Sequence, residues 1–336
     1  MPVTLEEASR GAQTDLDTAV IDEFRKSSII LDSLPIDQAV NPAGGGAVLT
    51  YGYRRLTTQA GAAFRTLNTE YTPGEVVTSV ETVTLAPLGG SFEIDRVIAQ
   101  IGAPGEVALQ MQQKIKATNA KFTDAVINGD TAVEANGFDG LDKALAGSAT
   151  EINATTVTNW TDFDTDARAE HKALDLIDEF LANLDGAPTM IIGNAKALGR
   201  VRAAARRSGM YTRNPVEGLV GANGRPIERE QYGGIVFVDA GAKAGSNDPI
   251  IPIETRDLDG AGAGAAVSGL TDLYAVRVGL DAFHAVSIVG GQVVQTWLPD
   301  FSTAGAVKKG EVELGPIAVA LKATKAAAVL RNIKVA

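Results

Sequence analysis

PGEVALQMQQKIKATNAKFTDAVINGD, residues 104–130, is the longest uninterrupted helical signal in the chain. Val107, Met111, Ile115, Thr118, Phe122 and Val126 recur at steps of four, four, three, four and four, which lines them up on one helix face. Glu106, Lys114, Lys116, Lys121 and Asp124 fall mostly off that line. Pro104 suits a first turn, where its missing N–H has no intrahelical partner to lose. Gly129 suits the stop, because glycine tolerates the left-handed conformation in which many helices end. At 1.5 Å per residue the helix is roughly 38 Å long. One narrow apolar stripe on so long a rod buries one side only, so something extended must lie along it.

Upstream, Val48 to Leu56 and Val76 to Leu85 alternate as two strands rich in Val, Thr and Tyr. Gly61 to Gly74 lies between them, with Pro73-Gly74 as the turn signal. This is a hairpin of about ten residues per strand that leaves the body and returns. A two-stranded ribbon is marginal in isolation, so it must lie on its own body or on another chain. Residues 85–96, LAPLGGSFEIDR, lead from it into Val97, Ile98 and the long helix. Further upstream, Thr4 with Glu7 fits a capping box, and helical spacing through Leu16, Ala19, Val20, Glu23 and Phe24 predicts a helix to about Lys26. It reads either as an ordinary terminal helix or as an arm reaching a neighbouring subunit. Pro35 disfavours helix at Leu34, so Ser27 to Pro35 reads as extended, and Asn41 to Gly46 as a flexible turn.

Downstream, Gly137 to Leu141 closes a turn-rich connector. Thr161 or Asp162 is positioned to cap a helix reaching Leu184, with Leu174, Ile177, Leu181 and Leu184 on its apolar face. Pro188 to Gly193 reads as a short buried strand, followed by a helix capped by Asn194 and ended by Gly209. That helix carries Arg200, Arg202, Arg206 and Arg207, the only basic cluster in the chain. The cluster reads as a solvated or ion-paired face, or as a contact with a subunit or a packaged acid. Tyr211 to Glu230 reads as a polar loop and Ile235 to Val238 as another buried strand, which together suggest an α/β module near residues 145–280. The last third is strand-rich over Leu273–Val278, Gln292–Leu298 and Gly310–Leu321. Thr324 to Leu330 reads as a short helix, and Ile333 to Val335 as the close of a sheet edge. These late strands are the candidates to pack on the long helix.

The 336 residues allow about two domains, and 45% hydrophobic with 21% charged content reads as globular. A net charge of −11 argues against a general nucleic-acid binder, which carries basic patches for phosphates. The absence of cysteine removes disulfides and thiolate chemistry. MPVTLEEASRG lacks the basic and apolar regions of a signal peptide. The most apolar window, Leu273 to Gly291, contains Arg277, Asp281 and His284, so the chain reads as soluble. His171 and His284 read as satisfied structural residues without metal spacing. Gly260 to Ala265 matches a dinucleotide fingerprint only formally, without the flanking strand and helix, and reads as a flexible loop. Asn153 and Asn159 begin sequons that no secretion signal supports. With no GxSxG, P-loop or HExxH, no catalytic, cofactor-binding or metal residue is nominated, and the chain reads as a non-enzyme.

The order of parts resembles the major capsid protein of tailed bacteriophages, the Hong Kong 97 type fold. The carriers are SSIILDSLPI, YGYRRL, APLGGSFEIDR, the helix through NGD, GFDGL, PTMIIGNAKALGRVR and VELGPIAVALKATKAAAVL. The resemblance implies an α+β fold with an N-terminal arm (1–47) and an extended loop, the E-loop (48–96). It implies a peripheral domain (97–144) with a spine helix over 104–128, and an axial domain (145–284). Peripheral strands (285–322) and a return to the axial domain (323–336) complete it. It further implies hexamers and pentamers closing into an icosahedral shell around double-stranded DNA, held without sequence-specific binding. Such a virion capsid is assembled in the host cytoplasm with separate scaffold, portal and decoration proteins as possible partners, and without membrane or cofactor. An encapsulin-like cellular compartment is the alternative within the fold, and a surface structural protein the alternative outside it.

Candidate inter-subunit contacts are Arg54, Arg55, Arg65, Glu70 and Glu75 on the hairpin, and Arg200, Arg206 and Arg207. Because residues 1–47 alone precede the hairpin, no long built-in scaffolding domain is expected. Some members of the resembled family lock their shells by isopeptide bonds from an E-loop lysine. No lysine occurs here between Lys26 and Lys114, so a non-covalent lattice is expected.

Overall fold

The structure is a computed structural model that describes residues 30–40, 49–58, 60–71, 73–101, 105–164, 166, 168–209, 213–220, 226–232, 234–258, 266–288 and 293–336. The expected N-terminal helix, the turn at Asn41–Gly46, Pro104 and the Gly260–Ala265 run lie outside these residues.

The described chain opens with one helical turn, α1 (Ile30–Ser33), and strand β1 (Ile36–Val40). The turn corrects the extended reading of residues 27–35: Pro35 bars only Leu34 from helical geometry, and the residues before it remain free to coil. The hairpin is β2 (Thr50–Thr58) and β3 (Val77–Thr84), antiparallel, with Tyr51 opposite Val83 and Arg55 opposite Ser79. Strand β4 (Ala86–Asp95), a short helix α2 (Arg96–Ile101) and the long helix α3 (Glu106–Asn128) follow.

Phe92 and Ile94 of β4 and Met111 of α3 bury one another beneath Val312, with Val107, Ile115 and Ile98 alongside. The extended partner that the stripe requires is therefore β4 together with a late strand. Thr118, within the stripe, is buried and donates its hydroxyl to the Lys114 carbonyl at 2.9 Å, so it costs no unpaired donor. The last turns bury more than one side, because Ala120, Thr123 and Ile127 join Phe122 and Val126. Gly129 has φ −56°, not the left-handed conformation expected of it. Glycine is required there for another reason: a Cβ would strike the carbonyls of Ala125 and Phe138. That close approach lets Gly140 donate to the Gly129 carbonyl at 2.8 Å and start the short helix α4 (Leu141–Leu145).

After two short strands, β5 (Glu151–Ile152) and β6 (Thr158–Asn159), comes helix α5 (Ala169–Ala182). It begins later than Thr161 or Asp162 would cap it, because Asn159 accepts from the Thr161 N–H and Asp162 from the Asp164 N–H, in local turns of their own. Its buried face is Ala173, Leu174, Ile177 and Phe180. Strand β7 (Met190–Gly193) leads into helix α6 (Ala195–Arg207), capped by Asn194 accepting from the Lys196 N–H at 2.9 Å. Gly209, at φ +75°, follows its end.

Residues 211–230 are not one loop. They contain β8 (Arg213–Val220) and most of β9 (Pro226–Tyr232), an antiparallel pair that joins β10 (Ile235–Asp239). Then come β11 (Glu254–Arg256), β12 (Val267–Val276), β13 (Phe283–Ile288), β14 (Val294–Trp297) and the 15-residue β15 (Val307–Leu321). A 3₁₀ turn (Thr324–Ala326) precedes β16 (Ala327–Lys334). The helix expected over 324–330 is thus mostly strand, because Ala327 to Leu330 are claimed by pairing with β12.

Two main sheets result. In one the order is β1-β13-β15-β14, with β4 on the other edge of β15 and α3 packed on β4 and β15. In the other the order is β5-β16-β12-β7-β10-β9-β8, with β11 beside β12 and β6 beside β16. Strands β7 and β10 are parallel, Val236 opposite Met190, with α6 as their crossover. The C-terminal β16 lies inside this second sheet rather than on α3, so of the late strands β15 is the one that meets the long helix.

Candidate assembly surface

The hairpin divides into a seated root and an exposed tip. Tyr51, Tyr53 and Arg55 alternate onto one face of β2, and that face rests on the chain's own body. The Tyr53 hydroxyl donates to the Leu321 carbonyl at 2.9 Å. Arg55 donates to the carbonyls of Leu321 at 2.7 Å and Lys322 at 3.1 Å, and its guanidinium is 3.9 Å from Glu81. Burial pushes the Tyr53 hydroxyl pKa up, against the pull of Arg55. Arg54 points the other way and is exposed, reaching Thr78 at 3.5 Å.

Beyond Leu56 and Val77 the ribbon loses its support. Phe64 is 107% and Leu67 88% exposed, and Tyr71 and Val76 are exposed as well. The turn sits at Leu67-Asn68, with Asn68 at φ +66°, rather than at Pro73-Gly74. Arg65 organises it, donating to the carbonyls of Thr66 and Thr69 with its guanidinium 5.3 Å from the Tyr71 ring centre. Glu70 and Glu75 are exposed on the same tip. Four large apolar side chains in water on one projecting tip are unusual for a surface that stays in water.

The basic cluster lies on α6, remote from the hairpin in sequence. Arg207 forks onto Asp164, one arm at 3.1 Å, which holds the Asp164 carboxyl below its ordinary range. Arg206 is exposed and Arg200 half-buried. His171 is exposed on α5, 3.9 Å from Glu170. His284 is buried, and neither ring nitrogen makes a hydrogen bond, so it is not the satisfied core histidine expected.

One concave site among the described residues was not read from the sequence. It is a cavity of about 700 Å³ whose lining includes Asp142, Glu151, Arg256, Asp272, Tyr274 and Arg331. Arg331 reaches Asp142 at 2.7 Å, Asp272 at 3.4 Å and Glu151. Tyr274 donates to Asp142 at 2.9 Å, and its pKa is pushed well up, first by burial and then by Asp142. Burial alone would lower the Arg331 pKa, but the Asp142 and Glu151 carboxylates outweigh it, so the guanidinium stays charged. Asp142, Glu151, Glu254, Arg256, Asp272 and Arg331 of this cavity are engaged with each other, and its lining ties α4, β5, β11, β12 and β16 together. Isolated charges inside apolar strands, Asp272 in LTDLYAV and Arg331 in AAVLRNIKV, were the available signal. No group of three or more His, Asp or Glu among the described residues has the arrangement to hold a metal. No described helix is long and apolar enough to cross a membrane.

This architecture is shared end to end with solved shell proteins. The holo-SrpI encapsulin complex of Synechococcus elongatus PCC 7942 aligns with a TM-score of 0.60 at 14% identity, over 100% of this chain and 97% of that one. The capsid of the native GTA particle aligns at 0.59 and 13% identity, over 98% of each chain. A structure from Mycobacterium phage Bobi aligns at 0.55 and 14%, over 98% and 99%. No protein-family model matches the chain, and no curated protein does. At these identities the alignments establish the fold: the chain has the α+β capsid fold of the Hong Kong 97 type.

Proposed function

We propose that the chain is the major capsid protein of a tailed double-stranded DNA bacteriophage, assembling as hexamers and pentamers into an icosahedral head. The observation that carries the shell reading is the hairpin tip, whose Phe64, Leu67, Tyr71 and Val76 project into water on a chain with a capsid fold. Apolar area of that kind is stabilised by burial against a neighbour, and a head-to-tail contact closes into a ring when its rotation allows. The protein then works as a structural unit, not a catalyst. Its partners are copies of itself, and it encloses DNA without reading its sequence. Its acidic balance, −11, suits a wall that holds DNA weakly.

The encapsulin-like compartment is the second reading, favoured by the full-length alignment with an encapsulin. Expressing the chain and imaging the product by electron microscopy tests both. Closed shells with six- and five-fold capsomers support the shell function, and a protein that stays monomeric at high concentration overturns it. Particles recovered from the native source decide between the readings: nuclease-protected double-stranded DNA supports a phage head, and protein cargo without DNA supports a compartment.

A further inference from the structure

His284 stands where three elements meet. It is carried by β13. Beside it runs β1, parallel, with Ile36 opposite Ala285. Over it lies the hairpin root, whose Tyr51 ring stands edge-on to the imidazole at 6.1 Å between ring centres. The side chain is 0% exposed, and its two nitrogens make no hydrogen bond. A dry, unpartnered imidazole is tolerable while neutral and costly once charged.

The charged and titratable groups around it come from every neighbouring element. Asp37 of β1 places Oδ2 3.9 Å from Nε2 and accepts from the Tyr51 hydroxyl at 3.5 Å. Lys322, just after β15, holds its ammonium 5.6 Å from the Tyr51 ring centre and donates to the Leu280 carbonyl. Asp281, just before β13, is exposed and paired with Arg277. Tyr53 and Arg55 of β2 bind the end of β15. Burial, and after it Lys322, push the His284 pKa below 6.5, and Asp37, the Ala282 carbonyl and Asp281 do not reverse the shift.

We propose that His284 is an acid-sensitive latch, whose protonation unseats the hairpin root and β1 from the sheet beneath them. The imidazolium must find an acceptor: the Ala282 carbonyl lies near but forms no hydrogen bond with the ring, and Asp37 is too far for one and already faces Tyr51. Two escapes exist. Asp37 moves inward and gives up the Tyr51 hydroxyl, or Tyr51 lifts and admits water. Either one breaks the contacts by which Tyr51 ties the hairpin to β1 and β13. Because the folded pKa is depressed, this seat is fully present above pH 6.5 and weakens as pH falls from 6.5 through the lower folded value. The inference rests on contacts within one chain, so it stands or falls separately from the shell reading.

The test is amide hydrogen exchange of the full-length chain at pH 7.5 and 5.5, corrected for intrinsic exchange. Residues 36–40, 49–58 and 77–85 should open about tenfold more readily at pH 5.5, while α6 and β7 stay unchanged. In His284→Gln and His284→Phe, two variants so that one misfolding does not decide the matter, the acid step should vanish. The latch is overturned by an unchanged root in the wild type, by the same step in the variants, or by a step that spreads to α6 and β7. NMR titration of the two histidines in the wild type gives a second readout. His284 should titrate below the ordinary histidine value of 6.5, and a midpoint at or above it overturns the proposal.

Discussion

Arg256 forks onto Asp272, its two terminal nitrogens donating to the two carboxylate oxygens at 2.7 and 2.8 Å. The same carboxylate accepts the Asn332 backbone N–H at 3.0 Å, so one buried side chain fastens β11, β12 and β16. Asp272→Asn keeps the shape and removes the charge that two guanidiniums face. Arg256 keeps Glu254 and Arg331 keeps Asp142 and Glu151, so what is lost is the charge-assisted fork rather than all compensation, and a loss of about 1–3 kcal/mol is expected. Urea unfolding measures it. A loss under about 1 kcal/mol would mean that water screens the network as it screens surface pairs.

Gly310 of β15 pairs directly with Phe92 of β4, and the ring lies across the space a side chain would fill. A Cβ there would stand 2.5 Å from two ring carbons. Phe92 packs with Ile94, Met111 and Val312, so yielding would disturb that cluster. Gly310→Ala should destabilise the chain by about 1–3 kcal/mol through overpacking, and adding Phe92→Leu should recover part of it. Thermal melts of the single and double variants check this, and additive losses would show that the two positions do not clash.

The parts readable in advance were those whose signal is local. The α3 stripe, the alternation of the hairpin and the Asn194 cap each follow from a period or a single side chain. Residues 211–230 misled because Pro215, Gly218, Gly221 and Pro226 speak against strands, yet the segment pairs as β8 and β9 at the sheet edge, with Pro226 at a strand start and the register shifting after Pro215. Ala327 and Ala328 favour helix by propensity, but both are fully buried between strands, where tertiary pairing prevails. The Arg331–Asp142–Asp272 network was invisible for a different reason. Its members lie 59 and 189 positions apart, and no spacing rule reaches across the two strands and the helix that bring them together. For the assembly surface the hairpin itself was legible, but the division into seated root and bare tip was not, since it depends on where β15 ends.

The tip should govern association and not folding. Phe64 and Leu67 make no packing core, so Phe64→Ser with Leu67→Ser should leave the unfolding midpoint within about 0.5 kcal/mol of the wild type. The same pair should shift the chain from assembled to unassembled species. Analytical ultracentrifugation across a concentration series reads this directly. Assembly at wild-type concentrations would remove the tip from the interface.

The last prediction concerns how such a lattice is held. Covalent locking through an amide needs a lysine amine that can deprotonate and attack, and a guanidinium stays protonated and cannot replace it. The hairpin carries Arg54, Arg55 and Arg65 and no lysine. Arg55 is already bound to the Leu321 and Lys322 carbonyls of its own chain and Arg65 to those of Thr66 and Thr69, which leaves Arg54 as the guanidinium most open to outward contacts. Exposed pairs to a neighbour's carboxylates contribute only about 0–1 kcal/mol each. Cohesion must then come from burial of the apolar tip, at about 25 cal/mol per Å², repeated over every subunit. High salt should therefore loosen particles only modestly, while boiling in detergent should dissolve them completely. A denaturing gel of boiled particles should show one band near 34.9 kDa, and a ladder of covalent multimers would defeat the non-covalent lattice.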